Sequence, residues 1–453
     1  MSLAWRIVCD DAELAVDGAR VASRIGLAAE PALAEDALSE AIRALSVSDA
    51  PRPALLLARP PRPTDLARLA AAAGRARRTV PIGIVAEARA SADTIQVAGD
   101  LGLPAVGEVA PLLALAGLLG AAARRPWLAS TRALTPLERV RLADPSGPGR
   151  RSGGGRLGRA HDGLLTWSDK DTAEVVLGEP APVGEALRAL RAAAGATPPS
   201  RAVLEGVDRA ATEEVLFGPP RALSDPASKA ALDPYGLPLP LEELCTSPSR
   251  AAAEASRLGY PVRIALASPD LRLWDHPDLA VDGVASAAQV REVYRQSVAL
   301  AAERAPEARV LGVTVTATIQ ADAWLRVWAE PMGDDRVLAG IGFADPHGRA
   351  SEDATRTVLP ANEETVDRVL GRLAGAPLLL GGPPARRRAT VAAIADALLR
   401  LSAFVNDLRA EVRRVDLHPL VVLVGGAVEV REACVTVGDA YLRSLEAPAQ
   451  RPG

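Results

Sequence analysis

The chain has 453 residues, 49% of them hydrophobic and 24% charged, with a formal net charge of −4, a length that implies roughly two or three domains, each able to bury a core. There is no basic excess of the kind that nucleic-acid binding requires, and no apolar run reaches the roughly 18 residues of a membrane span. Residues 1–11 also lack the basic-then-apolar order of a secretory signal. The expectation is a cytoplasmic protein with neither nucleic acid nor membrane as a partner.

Three cysteines, Cys9, Cys245 and Cys434, lie far apart in the chain and form neither a disulfide framework nor a CxxC metal motif. Of the 52 basic residues only Lys170 and Lys229 are lysines. Chemistry that needs a compact ammonium on a flexible stem therefore has two candidates, since arginine is planar and stays protonated. Asparagine is as scarce, at Asn362 and Asn406, and the histidines are His161, His276, His347 and His418.

In chain order, residues 6–9 are predicted as a strand, 13–25 and 33–45 as helices, 54–58 as a buried strand and 66–77 as a helix. Residues 80–85 follow as a strand, then a helix over 92–101, a short strand at 104–106 and a helix over 109–123. Strands alternating with helices predict a parallel sheet covered on both faces, an α/β flavodoxin-like sandwich for residues 1–128. Residues 129–220 read as a connector, disordered around 144–159, where Gly, Pro, Ser and Arg leave nothing apolar to anchor. The run GGGRLGR there has no preceding strand and no closing GK[ST], so it is not a phosphate loop. His161 reads as a solvated side chain and His347 as part of a turn.

From residue 221 to 445 the pattern is α+β. Helices are predicted over 224–232, 249–258, 287–303, 363–373 and 390–403, and strands over 260–266, 337–343 and 412–417. Residues 310–317 and 324–329 read as a hairpin, and residues 420–424 and 427–430 as another across Gly425-Gly426. The charge run at Arg386, Arg387 and Arg388 reads as a solvated face.

Particular runs then become informative: SDPASKAALDPYGLPLP from Ser224, YPVRIALASPDL from Tyr260, GVTVTATI from Gly312, GAPLL from Gly375 and VDLHPLVVLVGGAVEV from Val415. Together they resemble the ATP-grasp module of NDP-forming acyl-CoA synthetases, the acetate–CoA and succinyl-CoA ligase group. LGLPAVGEVAPLLALAGLL from Leu101 is similar to the ligase-type flavodoxin-like domain of that family. The resemblance implies a two-lobed ATP-grasp fold, ATP with Mg²⁺ and CoA as cofactors, and a phosphohistidine that hands phosphate to a carboxylic acid.

Position by position, the resemblance also implies that this machinery is degenerate. Ala265 stands where a phosphate-contacting lysine is expected, beside Arg263, and Trp324 takes an acidic position. In the segment similar to the phosphohistidine loop, Leu273 occupies the histidine position and His276 lies three residues beyond. The metal-ligand positions carry His418 for asparagine and Arg431 for aspartate, and Arg414 replaces a leading acid, leaving Asp416. Magnesium prefers hard oxygen ligands, so imidazole is a poor substitute and a guanidinium repels the ion. At the amino terminus, Asp10, Asp11 and Glu13 line a helix start where a glycine-rich turn would receive phosphate. Lys229 is retained and reads as a solvated residue on a helix face.

These substitutions favour a non-catalytic acyl-CoA synthetase-like protein, a binding or regulatory scaffold for a protein partner or a small metabolite, with no cofactor assigned. One alternative is an active ligase, or a subunit of one, in which Lys229, Arg263, His276 and Asp416 have new roles and ATP, Mg²⁺ and CoA are bound. Another is a sensor of CoA or acyl-CoA built on the flavodoxin-like half.

Overall fold

The computed structural model describes residues 5–123, the strands within 155–178, parts of 185–193 and residues 202–446, apart from short stretches at 25–26, 28, 48–50, 87, 333–334 and 347–348. The readings made for residues 144–154, His161 and His347 lie outside the described residues. The chain divides into two compact units, Met1–Pro198 and Pro199–Gly453.

In the first unit β1 (Trp5–Cys9), β2 (Ala29–Leu33), β3 (Arg52–Leu57), β4 (Ile82–Ile84) and β5 (Ala105–Val106) form one parallel sheet in the order β2-β1-β3-β4-β5. Its helices are α1 (Ala12–Arg24), α2 (Ala37–Leu45), α3 (Pro63–Ala76), α4 (Ala88–Asp100) and α5 (Val109–Ala123). Leu55, Leu56 and Leu57 are all buried although successive side chains point to opposite faces, as a sheet covered on both sides requires. Ile7, Cys9 and Leu56 pack with Leu112, Leu113 and Leu115 of α5. This is the expected flavodoxin-like α/β arrangement.

Two readings of this unit are corrected. Residues 29–33 form β2 at the sheet edge, with α2 starting only at Ala37, capped by Asp36 whose carboxylate accepts from Ser39 N. Proline and glutamate in AEPAL hide an edge strand whose residues are half-buried or exposed. Residues expected to lack structure, Gly155–Arg159, form strand β6, which pairs antiparallel with β7 (Leu165–Asp169), itself paired with β8 (Thr172–Gly178). Backbone pairing along that stretch needs no apolar anchor in the sequence.

The second unit begins before residue 221. Helix α6 (Arg209–Leu216) joins α7 (Asp225–Leu232), the Thr212 hydroxyl donating to Ala231 O at 3.3 Å. Beyond β9 (Arg221–Ala222) come two antiparallel sheets. The smaller, in the order β10-β13-β11-β12, contains β10 (Glu242–Cys245), β11 (Val262–Ala267), β12 (Ala280–Val284) and β13 (Gly312–Ala317), backed by α8 (Pro248–Leu258) and α9 (Ala287–Arg304).

The larger sheet contains β14 (Ala321–Pro331), β15 (Val337–Ala344), β16 (Ala350–Leu359), β17 (Val412–Leu423), β18 (Val428–Val430) and β19 (Ala433–Val437), with β9 at its edge beside β19, and carries α10 (Glu363–Leu370), α11 (Ala376–Leu380) and α12 (Pro384–Asp407); α13 (Ala440–Glu446) ends the described chain. The expected hairpin of β13 and β14 is corrected: β13 pairs with β10 and β11, and β14 with β15 and β17. The turn between them passes the chain from one sheet to the other. The β17–β18 hairpin forms as expected, with Gly425 and Gly426 both at positive φ.

Helix α12 is long and apolar enough to cross a membrane, yet 67% of its most apolar window is buried inside the protein. It is the core helix behind the large sheet, carrying Ile394, Leu398, Leu401 and Phe404. Phe404 is fully buried and meets the Tyr235 ring edge-on at 5.2 Å. Phe404→Ala should lower the unfolding free energy of the second unit by about 3–5 kcal/mol, from lost transfer and cavity terms, measured by urea denaturation.

Candidate functional site

Lys229, Arg263 and Arg431, singled out in the sequence, come together at the junction of the small and large sheets of the second unit. Lys229, on α7, is 5% exposed. Its Nζ meets Asp225 Oδ2 at 2.9 Å and Glu242 Oε2 at 2.7 Å, and donates to Arg431 O at 2.9 Å. The reading of Lys229 as a solvated residue is therefore corrected. Burial alone pulls an ammonium pKa down, but Asp225 and Glu242 outweigh it and Lys229 is held above its ordinary value.

Arg263 projects from β11, 8% exposed, onto the carboxylate of Glu432, and its Nη1 lies 3.6 Å from Asp282. Arg431, 5% exposed, bonds Glu429 at 3.1 Å and Ala317 O at 2.9 Å, and shares Asp282 at 3.7 Å. Burial, and then the neighbouring Arg263, push its pKa down. Burial pushes Glu432 up to about 7, against the pull of Arg263. Asp225 accepts from Ala433 N at 2.7 Å and Ser228 from Val435 N at 2.9 Å, so α7 is bolted to β19. Three basic and five acidic side chains thus close on one another between the sheets, Asp282 from the exposed side and the others from within.

The remaining metal-type positions are equally engaged. Asp416 on β17 takes both nitrogens of a bidentate fork from Arg414, at 2.7 and 2.8 Å, with Arg326 at 3.8 Å. His418 is 2% exposed and lies under the indole of Trp274, centroids 4.9 Å apart and planes 25° from parallel. Trp274 belongs to the segment that the resemblance aligns with a phosphohistidine loop. That segment is anchored by Leu271 and Leu273, which pack with Ala265 and Leu279. His276 caps a short 3-10 turn, its N–H donating to Arg272 O at 3.0 Å. Among the described residues no group of three or more His, Cys, Asp or Glu is placed to hold a metal ion.

Trp324 sits apart. It pairs with Ala344 and Val421, whereas the tryptophan opposite Asp416 is Trp328. Trp324, Arg326, Trp328 and Glu330 alternate along β14 with buried Ala323, Leu325, Val327 and Ala329. The Trp328 ring lies where a β-carbon on Gly340 would stand, with the Arg414 guanidinium 4.8 Å and that of Arg356 5.9 Å from its centroid. The residues missed in the sequence are all five acids of the network, Asp225, Glu242, Asp282, Glu429 and Glu432, together with Trp274 and Glu330. The charged run Glu429, Arg431 and Glu432, interrupting an apolar hairpin, is the one local signal that could have found Glu432.

At the amino terminus Asp11 Oδ1 accepts from Glu13 N at 2.9 Å and Leu14 N at 3.1 Å, while Asp10 accepts from Ala58 N at 2.7 Å. The donors at the start of α1 that an anion would use are already satisfied by a carboxylate. All three thiols are buried, and burial raises each pKa, Cys9 to about 12 and Cys245 to about 11. None is a nucleophile at neutral pH.

Two outcomes follow from the buried network. Arg431→Asp places another acid beside Asp282, Glu429 and Glu432 and should destabilise the second unit by about 3–5 kcal/mol, the range for breaking a buried pair, read by urea denaturation. Glu432 keeps its proton in the folded state up to about pH 7, while the unfolded chain releases it near the ordinary carboxylate value of 4.5. Its contribution to stability therefore falls as pH rises between those values and is level above. The stability difference between the wild type and Glu432→Gln should shrink, or turn negative, across that window; a difference that grows with pH would contradict the assignment.

Residues 215–437 match the ATP-grasp domain family. The chain is 26% identical over 214 residues to the beta subunit of ADP-forming acetate–CoA ligase II of Pyrococcus furiosus, a span of 46% of this chain and 89% of that one. It is 23% identical over 206 residues to the ADP-forming 4-hydroxybutyrate–CoA ligase of Nitrosopumilus maritimus, covering 45% of this chain and 29% of the relative. Among solved structures, the dinucleotide forming acetyl-coenzyme A synthetase 1 of Ca. Korarchaeum cryptofilum aligns at 21% identity, over 48% of this chain and 94% of that chain, with a TM-score of 0.42. The second unit of this chain is an ATP-grasp domain, and its named relatives are ADP-forming acid–CoA ligases.

Proposed function

We propose that this protein is a non-catalytic relative of the ADP-forming acid–CoA ligases, serving as a binding or regulatory scaffold. The observation that carries the reading is the closure of the site positions on one another: Arg263 on Glu432, Arg431 on Glu429 and Asp282, Lys229 on Asp225 and Glu242, and Asp416 on Arg414. A nucleotide polyphosphate would have to displace these partners and would then meet buried carboxylates. The apolar pair Leu273 and Ala265 offers phosphate nothing to bond. Two of the relatives are named as beta subunits, of Pyrococcus furiosus acetate–CoA ligases I and II, which supports a second protein chain as the bound partner.

The test is calorimetric melting with millimolar Mg·ATP, with and without EDTA. A ligand at one hundred times its dissociation constant adds about 2.7 kcal/mol to the folded state, so even weak occupancy would be visible. No Mg²⁺-dependent shift is expected, and no acid-labile phosphate at His276. An EDTA-sensitive shift, or formation of acyl-CoA from acid, ATP and CoA, would replace this reading with that of a working ligase.

A further inference from the structure

A cavity of about 830 Å³ opens at the end of the large sheet where β17 begins, within the range of about 300–1,000 Å³ typical of small-molecule sites. Pro220, Pro331, Val412 and Val437 give its lining an apolar part, with Thr436 and Gly438 beside them in the chain. Four arginines line it, Arg409, Arg413, Arg414 and Arg443, against two acids, Glu330 and Asp439. The lining therefore carries an excess of positive charge alongside its apolar part.

The four guanidiniums are not equally engaged. Arg414 is committed to Asp416 and Glu330, and Arg409 is braced by Asp335 at 2.6 Å from behind. Arg443 uses one nitrogen, Nη2, for both Asp439 at 3.1 Å and Ala410 O at 3.2 Å, so its Nε and Nη1 hydrogens face no acceptor among the described residues. Arg413 is exposed and makes no ion pair among the described residues. Two guanidiniums with spare donors line this hollow, Arg443 braced by Asp439 and Ala410 O and Arg413 exposed, and such donors suit oxygens of an anion in a forked geometry.

We infer that this cavity binds a small polyanion through Arg413 and Arg443, the anionic oxygens belonging to phosphate or carboxylate groups. The site needs no metal ion and does not use Lys229, Arg263 or Arg431, so it stands whether or not the domain binds nucleotide. Its occupant would sit against Arg414, which in turn holds Asp416 and lies over Trp328.

The experiment is isothermal titration of the full chain, in buffer freed of metal ions by chelating resin and containing no soluble chelator, with pyrophosphate and with citrate. Saturable binding of pyrophosphate alone identifies phosphate as the source, of citrate alone carboxylate, and of both a site that reads charge. In each case Arg413→Ala with Arg443→Ala should weaken binding at least tenfold, and Arg413→Gln, a change at an exposed side chain, severalfold. Arg295→Ala, on the exposed face of α9, should leave it unchanged. No saturable heat with either probe, or equal binding by the double variant, or equal loss in Arg295→Ala, overturns the proposal. ATP binding that EDTA abolishes and the double variant retains would instead overturn the scaffold reading and leave this site untouched.

Discussion

The second unit depends on a set of buried charges that satisfy one another between two sheets. Arg263 comes from the small sheet and Glu432 from the turn entering β19, and Lys229 from α7 adds Glu242 and the carbonyl of Arg431. Removing any one leaves its partner charged and out of water, which costs more than the pair contributes. The network ties α7, β10, β11, β12 and the β18–β19 turn together through its ion pairs and hydrogen bonds.

That constraint gives a physical meaning to Arg431, which the sequence resemblance sets at an acidic position. A guanidinium buried there needs a partner, and Glu429 and Asp282 at 3.1 and 3.7 Å supply it. Trp274 over His418 does the same with apolar surface, turning the loop after β11 into a cover over the β17 strand.

The parallel sheet of the first unit was legible because buried strands and amphipathic helices alternate with clear periods, and the large sheet because β14, β15 and β17 are apolar on at least one face. Strands β2 and β16 were not: ASEDATRTVL exposes most of its first half, and an edge strand needs no apolar signature when its order comes from backbone pairing. The sheet change between β13 and β14 was also hidden, since hydropathy marks a strand and not its partner. Of the candidate site, the odd residues stood out one by one, but their partners did not. Glu432 lies 169 positions from Arg263, and Asp416 pairs with Trp328 of β14, which pairs in turn with Gly340 of β15, contacts that only the folded sheets create.

The three cysteines make a built-in clock for the two units. Cys9 lies in the parallel sheet, and Cys245 and Cys434 lie in the ATP-grasp unit, all with buried thiols. A thiol reagent can reach each one only when the strand that holds it opens, so its labelling rate reads local opening in place of surface reactivity. Pulse labelling followed by peptide mass analysis would therefore time the opening of each unit from the native chain, with no introduced probe.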